Sequence, residues 1–198
     1  MGRMKKQSGV VLFIALIVLV ALTMAGIALV RSVDTSNVIS GNLAFKQSTL
    51  QAADLGVEVA AGALPTIVAT TLYSVVTPTG SGTYWYYPTR REDDASGVPT
   101  TKEYGASGSA TAINWSNVPA ATTSTGNTVQ VVIDRLCQGP PPVTDIEGKC
   151  FADAGTGGGT KKAHGTQFTG ATTTYYRVTV RVSGPRNTTS MVQAILNR

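Results

Sequence analysis

The sequence predicts an α+β protein: a long N-terminal helix whose second half packs on an antiparallel β-sheet head. Three observations carry that expectation. Val10 to Val30 runs apolar without one charged side chain, and Arg31 to Leu64 continues in helix formers with apolar residues at helical spacing. Near the other end, Thr174 to Ser183 and Thr188 to Leu196 alternate like two strands joined by a turn.

The apolar run comes first. Its 21 residues, Val10–Val30, make a helix of roughly 30 Å, enough to cross the hydrocarbon of a bilayer. Arg3, Lys5 and Lys6 stand before it, while Arg31 is followed closely by Asp34. The bias of positive charge toward the cytoplasmic side therefore places the N-terminus inside and the remainder outside. A secretory signal has a shorter apolar region and a small-x-small cleavage site just beyond it. Here the nearest such site, Gly26-Ile-Ala28, lies within the run. A plain signal anchor is the other reading, and hydropathy alone does not separate it.

The next segment, 31–64, reads as an amphipathic stem. Leu43, Leu50, Val57 and Leu64 recur every seven residues, with Ala53, Ala60 and Ala61 on the same side, and the expectation is that this stripe packs on the head. No proline interrupts the stem before Pro65. Unbroken from Val10 to Leu64, it would be a rod of roughly 80 Å. Gly26, Gly41, Gly56 and Gly62 each cost about 1 kcal/mol of helix propensity and predict bends.

Residues 65–198 form the head. Its composition is rich in Thr, Ser and Gly, and charged residues make up only 14% of the chain, which fits an exported β surface. Residues 76–127 read as long loops with short strands draped over the stem. Thr128–Leu136 is a strand, and in Thr174–Ser183 Tyr176, Val178, Val180 and Val182 face one way while Arg177, Thr179, Arg181 and Ser183 face the other. Gly184-Pro-Arg-Asn187 supplies the turn before the last strand.

Charge excludes little and suggests less. Three of the formal +5 charges belong to Arg3, Lys5 and Lys6, and the other 13 basic residues form no stripe that would track nucleic acid. Cys137 and Cys150 are the two cysteines, and an even count in an exported domain predicts a disulfide. A thiolate metal site is the alternative, but the lone His164 cannot complete four ligands. The loop between the cysteines carries Pro140, Pro141, Pro142, Asp145 and Glu147 and reads as a stiff contact surface.

Catalytic patterns are missing. His164 sits in a Gly-flanked loop, and no Gly-x-Ser-x-Gly or His-Glu-x-x-His occurs. Gly157-Gly-Gly159 before Lys161 is only superficially like a phosphate loop, because Thr160 precedes that lysine and Lys162 follows it. Glu92, Asp93 and Asp94 gather beside a turn without calcium-loop spacing and read as a plain acidic turn. Tyr84, Trp85, Tyr86 and Tyr87, followed by Arg90 and Arg91, form the densest aromatic cluster. Packing inside the head is the first reading of that cluster and partner contact the second. The sequons at Asn114 and Asn187 carry little weight. Neither a cofactor nor a metal is expected.

A basic leader ending in Gly9, a 20-residue apolar helix and a continuing stem together resemble the type IV pilin family. That resemblance implies cleavage by a prepilin peptidase between Gly9 and Val10, with methylation of the new N-terminus at Val10. Family members usually carry Glu as the fifth mature residue; here Ile14 stands there. A carboxylate in hydrocarbon is costly and kept for a function, which in major pilins is the neutralisation of a neighbour's N-terminal amine. Pilins lacking it resemble tip components. The first mature residue, Val10, also departs from the commoner Phe or Met.

Val10–Leu19, Ala25–Ser32, Ile39–Phe45 and Gln51–Asp54 look like the N-terminal segment of PilX-type minor pilins, and Tyr175–Ser190 with Met191–Leu196 resembles their C-terminal block. The resemblance covers about a third of the chain and leaves 76–170 outside it. It implies a minor pilin that primes or assembles a type IV pilus at or near its tip, held in the inner membrane before assembly and on the cell surface afterwards. Implied partners are other minor pilins, the major pilin, the prepilin peptidase and a PilY-type tip adhesin. A type II secretion tip pseudopilin is an alternative, although such chains resemble one with a large helical insertion that this one lacks. A membrane-anchored periplasmic enzyme is the alternative from another class.

Overall fold

The computed structural model describes residues 10–70, 84–139, 145–153 and 173–198. Helix α1 spans Val10–Thr70 and is followed by strands β1 (Tyr84–Tyr87), β2 (Arg91–Asp93), β3 (Pro99–Glu103), β4 (Ala120–Thr122) and β5 (Thr128–Arg135). A short helix α2 (Ile146–Lys149), then β6 (Ala152–Asp153), β7 (Thr173–Ser183) and β8 (Thr189–Asn197) complete the chain. Residues 1–44 and 45–198 are two separate compact units.

In the first unit every described residue from Val10 to Ser40 is exposed. The helix is long and apolar enough to cross a membrane. Its hydrogen bonds are internal, and even Thr23 turns its hydroxyl back to the Val20 carbonyl at 2.8 Å. A helix that satisfies its own backbone this way needs no water along its length.

In the second unit the rest of α1 lies on one face of a six-stranded sheet. The central strands β5 and β7 pair antiparallel from Thr128↔Ser183 to Arg135↔Tyr176. β8 continues antiparallel on the far side of β7. On the outer edge of β5, β4 pairs antiparallel, but β1 pairs parallel, with Tyr84 opposite Val131. The sheet is therefore mixed rather than antiparallel. The cause lies in 84–87, a β-rich aromatic segment that enters the sheet alongside β5 as one of the short strands expected in 76–127.

The helix buries part of the expected side, Ala53, Ala60 and Leu64, but its buried face is centred on smaller residues. Thr49, Ala52, Ala53, Gly56, Ala60, Leu64 and Ile67 are buried, most of them small. Ala61, expected on that side, is exposed. A strict seven-residue stripe drifts about 20° per heptad around a straight helix. Accordingly Leu64 is buried, Val57 half-buried and Leu50 43% exposed, while Leu43 in the first unit is 54% exposed. Small residues win the sheet-facing position because the helix comes close: a Cβ on Gly56 would lie 2.6 Å from Val180 Cγ1. Gly56 is thus a packing residue rather than a hinge. The helix also continues through Pro65 to Thr70, past the expected end at Leu64. Pro65 is exposed, and the turn beyond it delivers Ile67 to the core.

Val129, Val131 and Ile133 of β5 and Tyr176, Val178, Val180 and Val182 of β7 meet the helix, as the alternation predicts. The opposite face is covered as well. There Tyr87, Ile113, Val118 and Val132 form a second apolar cluster, with Trp85 and Trp115 against it. The segment expected to drape over the stem thus closes the back of the sheet instead. Gln130 fastens it, donating to the carbonyls of Trp115 and Val118 at 2.5 and 2.9 Å.

Candidate functional site

The chemistry-bearing residues form two groups, one in each compact unit. The first is the apolar helix itself. Val10 is the first described residue, and Gly9, the processing position, lies outside the described residues. Ile14 is 55% exposed in the bare part of the helix, so its side chain takes no part in holding this chain's own fold together.

The second group is an ionic clamp on the back of the sheet that sequence reading passed over. Arg177 extends from β7, and its Nε and Nη2 donate to the two carboxylate oxygens of Asp134 on β5, both at 2.9 Å. Its Nη1 reaches Asp93 of β2 at 2.5 Å, and Nη2 also donates to the Arg91 carbonyl. One guanidinium therefore ties both central strands to the β2–β3 hairpin, in the bidentate geometry that arginine favours. The hairpin crosses the back face, and the carbonyl of Gly97 in its turn accepts from the Gln193 side chain on β8.

Burial pushes the Asp134 carboxyl above its ordinary value, against the opposing pull of Arg177. For Arg177 burial works downward, but the hydrogen bonds and charge of Asp134, joined by Asp93, outweigh it and raise the guanidinium. Burial lowers Arg91, partly offset by Glu103, Tyr87 and Asp134. The alternation of β7 did place Arg177 and Arg181 on the far side from the helix. It could not reveal that this side is covered, because the covering segment carries no periodicity of its own.

The aromatic cluster is internal. Tyr86 is buried in the helix-facing core and Tyr87 in the back cluster, which removes both as a contact surface; Tyr84 and Trp85 are half-buried. Trp85 and Tyr87 pack edge to face at 6.4 Å. The neighbouring arginines are occupied too: Arg90 lies over Tyr104 at 3.9 Å, and Arg91 over Tyr87 at 4.4 Å. Burial raises the Tyr87 hydroxyl above its ordinary value.

Cys137 and Cys150 form a disulfide with Cα atoms 3.9 Å apart. Asp145 caps the short α2 within the loop it closes, accepting from the Gly148 amide. Pro140, Pro141 and Pro142 lie outside the described residues. Beside the disulfide is an open, mainly apolar cleft of about 550 Å³ bounded by Arg90, Phe151, Tyr175, Arg177 and Ile195. Arg177 is already committed to Asp134 and Asp93, so the cleft presents mostly apolar walls.

The acidic turn is built for its own backbone. Asp94 Oδ1 accepts from the Ser96 and Val98 amides at 2.8 and 2.9 Å. Among the described residues no three His, Cys, Asp or Glu side chains converge on a point where a metal would sit. His164, Gly157–Gly159, Lys161 and Lys162 fall outside the described residues. Asn114 caps a single 3-10 turn by accepting from the Ser116 amide. Asn187 sits with positive φ in the β7–β8 turn. No protein-family model, curated protein or solved structure matches the chain.

Proposed function

We propose that this chain is a PilX-type minor pilin: a noncatalytic subunit that primes a type IV pilus and stays at or near its tip. The observation that supports this best is the division within α1. Among the described residues nothing covers the apolar surface of Val10–Ser40, whereas Thr49–Ile67 is docked on a sheet through small residues. An apolar helix left bare in this way needs lipid or other helices around it. In this reading it rests in the inner membrane first and in a bundle of like helices after assembly.

The processed N-terminus is Val10, released by a prepilin peptidase acting after Gly9. Ile14 replaces the acid that a shaft subunit presents to its neighbour, which supports a position with no subunit to dock above it. The head, clamped by Arg177 and stapled by Cys137–Cys150, offers surface to other minor pilins, the major pilin or a PilY-type adhesin. Its work is noncovalent.

The test is deletion of the gene in the cells that make the protein, followed by complementation and immunogold labelling of the head. Loss of surface pili, with label confined to fibre ends in complemented cells, is the expected result. Normal piliation without the chain, or label spread along the shaft, would overturn the tip assignment.

A further inference from the structure

The sheet of the second unit ends in a strand built to accept another. β8 pairs with β7 without a break in register from Tyr175↔Asn197 to Ser183↔Thr189. The exchange of hydrogen bonds between Thr174 and Arg198 fixes the phase of that ladder. By alternation, the even-numbered residues of β8 turn their backbone groups toward β7. Thr189, Met191, Gln193, Ile195 and Asn197 turn theirs outward, where no described strand pairs with them.

Natural edges are normally blunted by charge, proline, a bulge or shortness. β8 has none of these: nine residues, Thr-Ser-Met-Val-Gln-Ala-Ile-Leu-Asn, uncharged and unbulged. Gln193 is anchored to Gly97 by its side chain on the back face, which leaves its backbone free for the edge.

The helix beside this edge carries apolar surface to match. Leu55 and Val59 line the flank of α1 that overhangs β4 and β5. At 100° per residue, Leu50 and Val57 fall on the opposite flank, toward β8. Leu50 is 43% exposed and Val57 half-buried. The part of the heptad stripe left incompletely covered, Leu50 and Val57, therefore runs along the β8 side of the sheet. Among the described residues, helix and sheet leave room for one further strand beside β8.

We infer that β8 is a docking edge for an extended segment of another polypeptide, apolar at alternate residues, which adds as a further strand and lays its inward side chains against Leu50 and Val57. Outward amides and carbonyls at alternate residues are complementary only to another extended backbone. A second copy of this chain would be a different strand donor. Two β8 strands paired about a dyad would run their α1 helices in opposite directions, which two copies rooted in one membrane by their N-terminal ends do not do. That choice rests on the membrane anchoring proposed above; the open edge does not.

The experiment is amide hydrogen exchange on the full chain in nonionic detergent micelles. The probe is a capped nonapeptide alternating threonine and valine; its control has proline at every second position. In the free protein, the Met191, Gln193 and Ile195 amides should exchange faster than those of Val192 and Ala194. At ten times its Kd, the alternating peptide should slow the first set about tenfold, and the control should not. Leu50→Glu, at a half-exposed position, should weaken the peptide by about tenfold or more while leaving the Val192 and Ala194 amides protected.

Outward amides already as slow as the inward ones would mean that the chain covers its own edge, and the inference fails. Unchanged exchange with the peptide has the same meaning. A dimer in sedimentation that Met191→Lys with Ile195→Lys dissolves would assign the edge to a second copy and overturn the foreign partner. None of these readouts depends on pilus assembly, so failure here and failure of the pilin reading are separable.

Discussion

Replacing Gly56 by alanine tests the close seat of α1 on the sheet. The added Cβ would stand 2.6 Å from Val180 Cγ1, 3.0 Å from Val129 Cγ1 and 3.1 Å from Val180 Cγ2. Valine side chains on central strands have little room to turn aside, so the helix must lift. Overpacking of this kind costs about 1–3 kcal/mol. Alanine in place of helical glycine returns about 1 kcal/mol, leaving a net loss of roughly zero to 2 kcal/mol. Gly62→Ala isolates the propensity term, because nothing lies within 4 Å of a Cβ there. That variant should gain up to about 1 kcal/mol. The difference between the two variants is then the packing cost alone, about 1–3 kcal/mol. Urea unfolding of the full chain in micelles, followed by the fluorescence of Trp85 and Trp115, measures it. Equal stabilisation by both substitutions would refute the close approach.

The remaining predictions concern the clamp and the staple. Arg177→Met strands Asp134 in the back of the sheet and should cost about 3–5 kcal/mol in urea unfolding, whereas Arg177→Met with Asp134→Asn should recover part of that loss. A double variant no better than the single one would show that the buried carboxylate is not the source of the cost. The raised Asp134 carboxyl has a signed consequence: between its ordinary value of 3.8 and its raised native value, the native state holds more protons than the unfolded chain. Its contribution to stability is full below 3.8 and falls as pH rises through the native value, and Asp134→Asn should abolish that slope. A contribution that grows with pH over this range would reverse the sign. Cys137→Ser with Cys150→Ser should lower stability by about 3 kcal/mol, the entropy of opening a loop of this length. A loss well under 1 kcal/mol would mean the loop is held by other contacts.

Much of this architecture was legible in the residues. The apolar run, the continuing helix, the alternation of Tyr176, Val178, Val180 and Val182 and the cysteine pair each carry a local physical signal. Three features were hidden because their cause is tertiary. How much of the expected stripe α1 buries depends on how near the helix comes: Gly56, with the expected Ala53 and Ala60, permits an approach that Leu50 does not. The parallel entry of Tyr84–Tyr87 beside β5 is a long-range pairing that no local pattern specifies. The Arg177–Asp134–Asp93 clamp joins residues 84 and 43 positions apart in sequence, so spacing offers no hint of it. A single cue was present: an aspartate closing the apolar run of a strand, Val131-Val-Ile-Asp134, demands a partner once that strand is buried.

The central claim is that Val10 begins the mature protein and that α1 enters a membrane as a pilin helix. Mass spectrometry of the protein purified from its native cells reads this directly. The account predicts a chain starting at Val10, with one methyl group on its α-amine. An intact Met1, or a cut near residue 35, would contradict it.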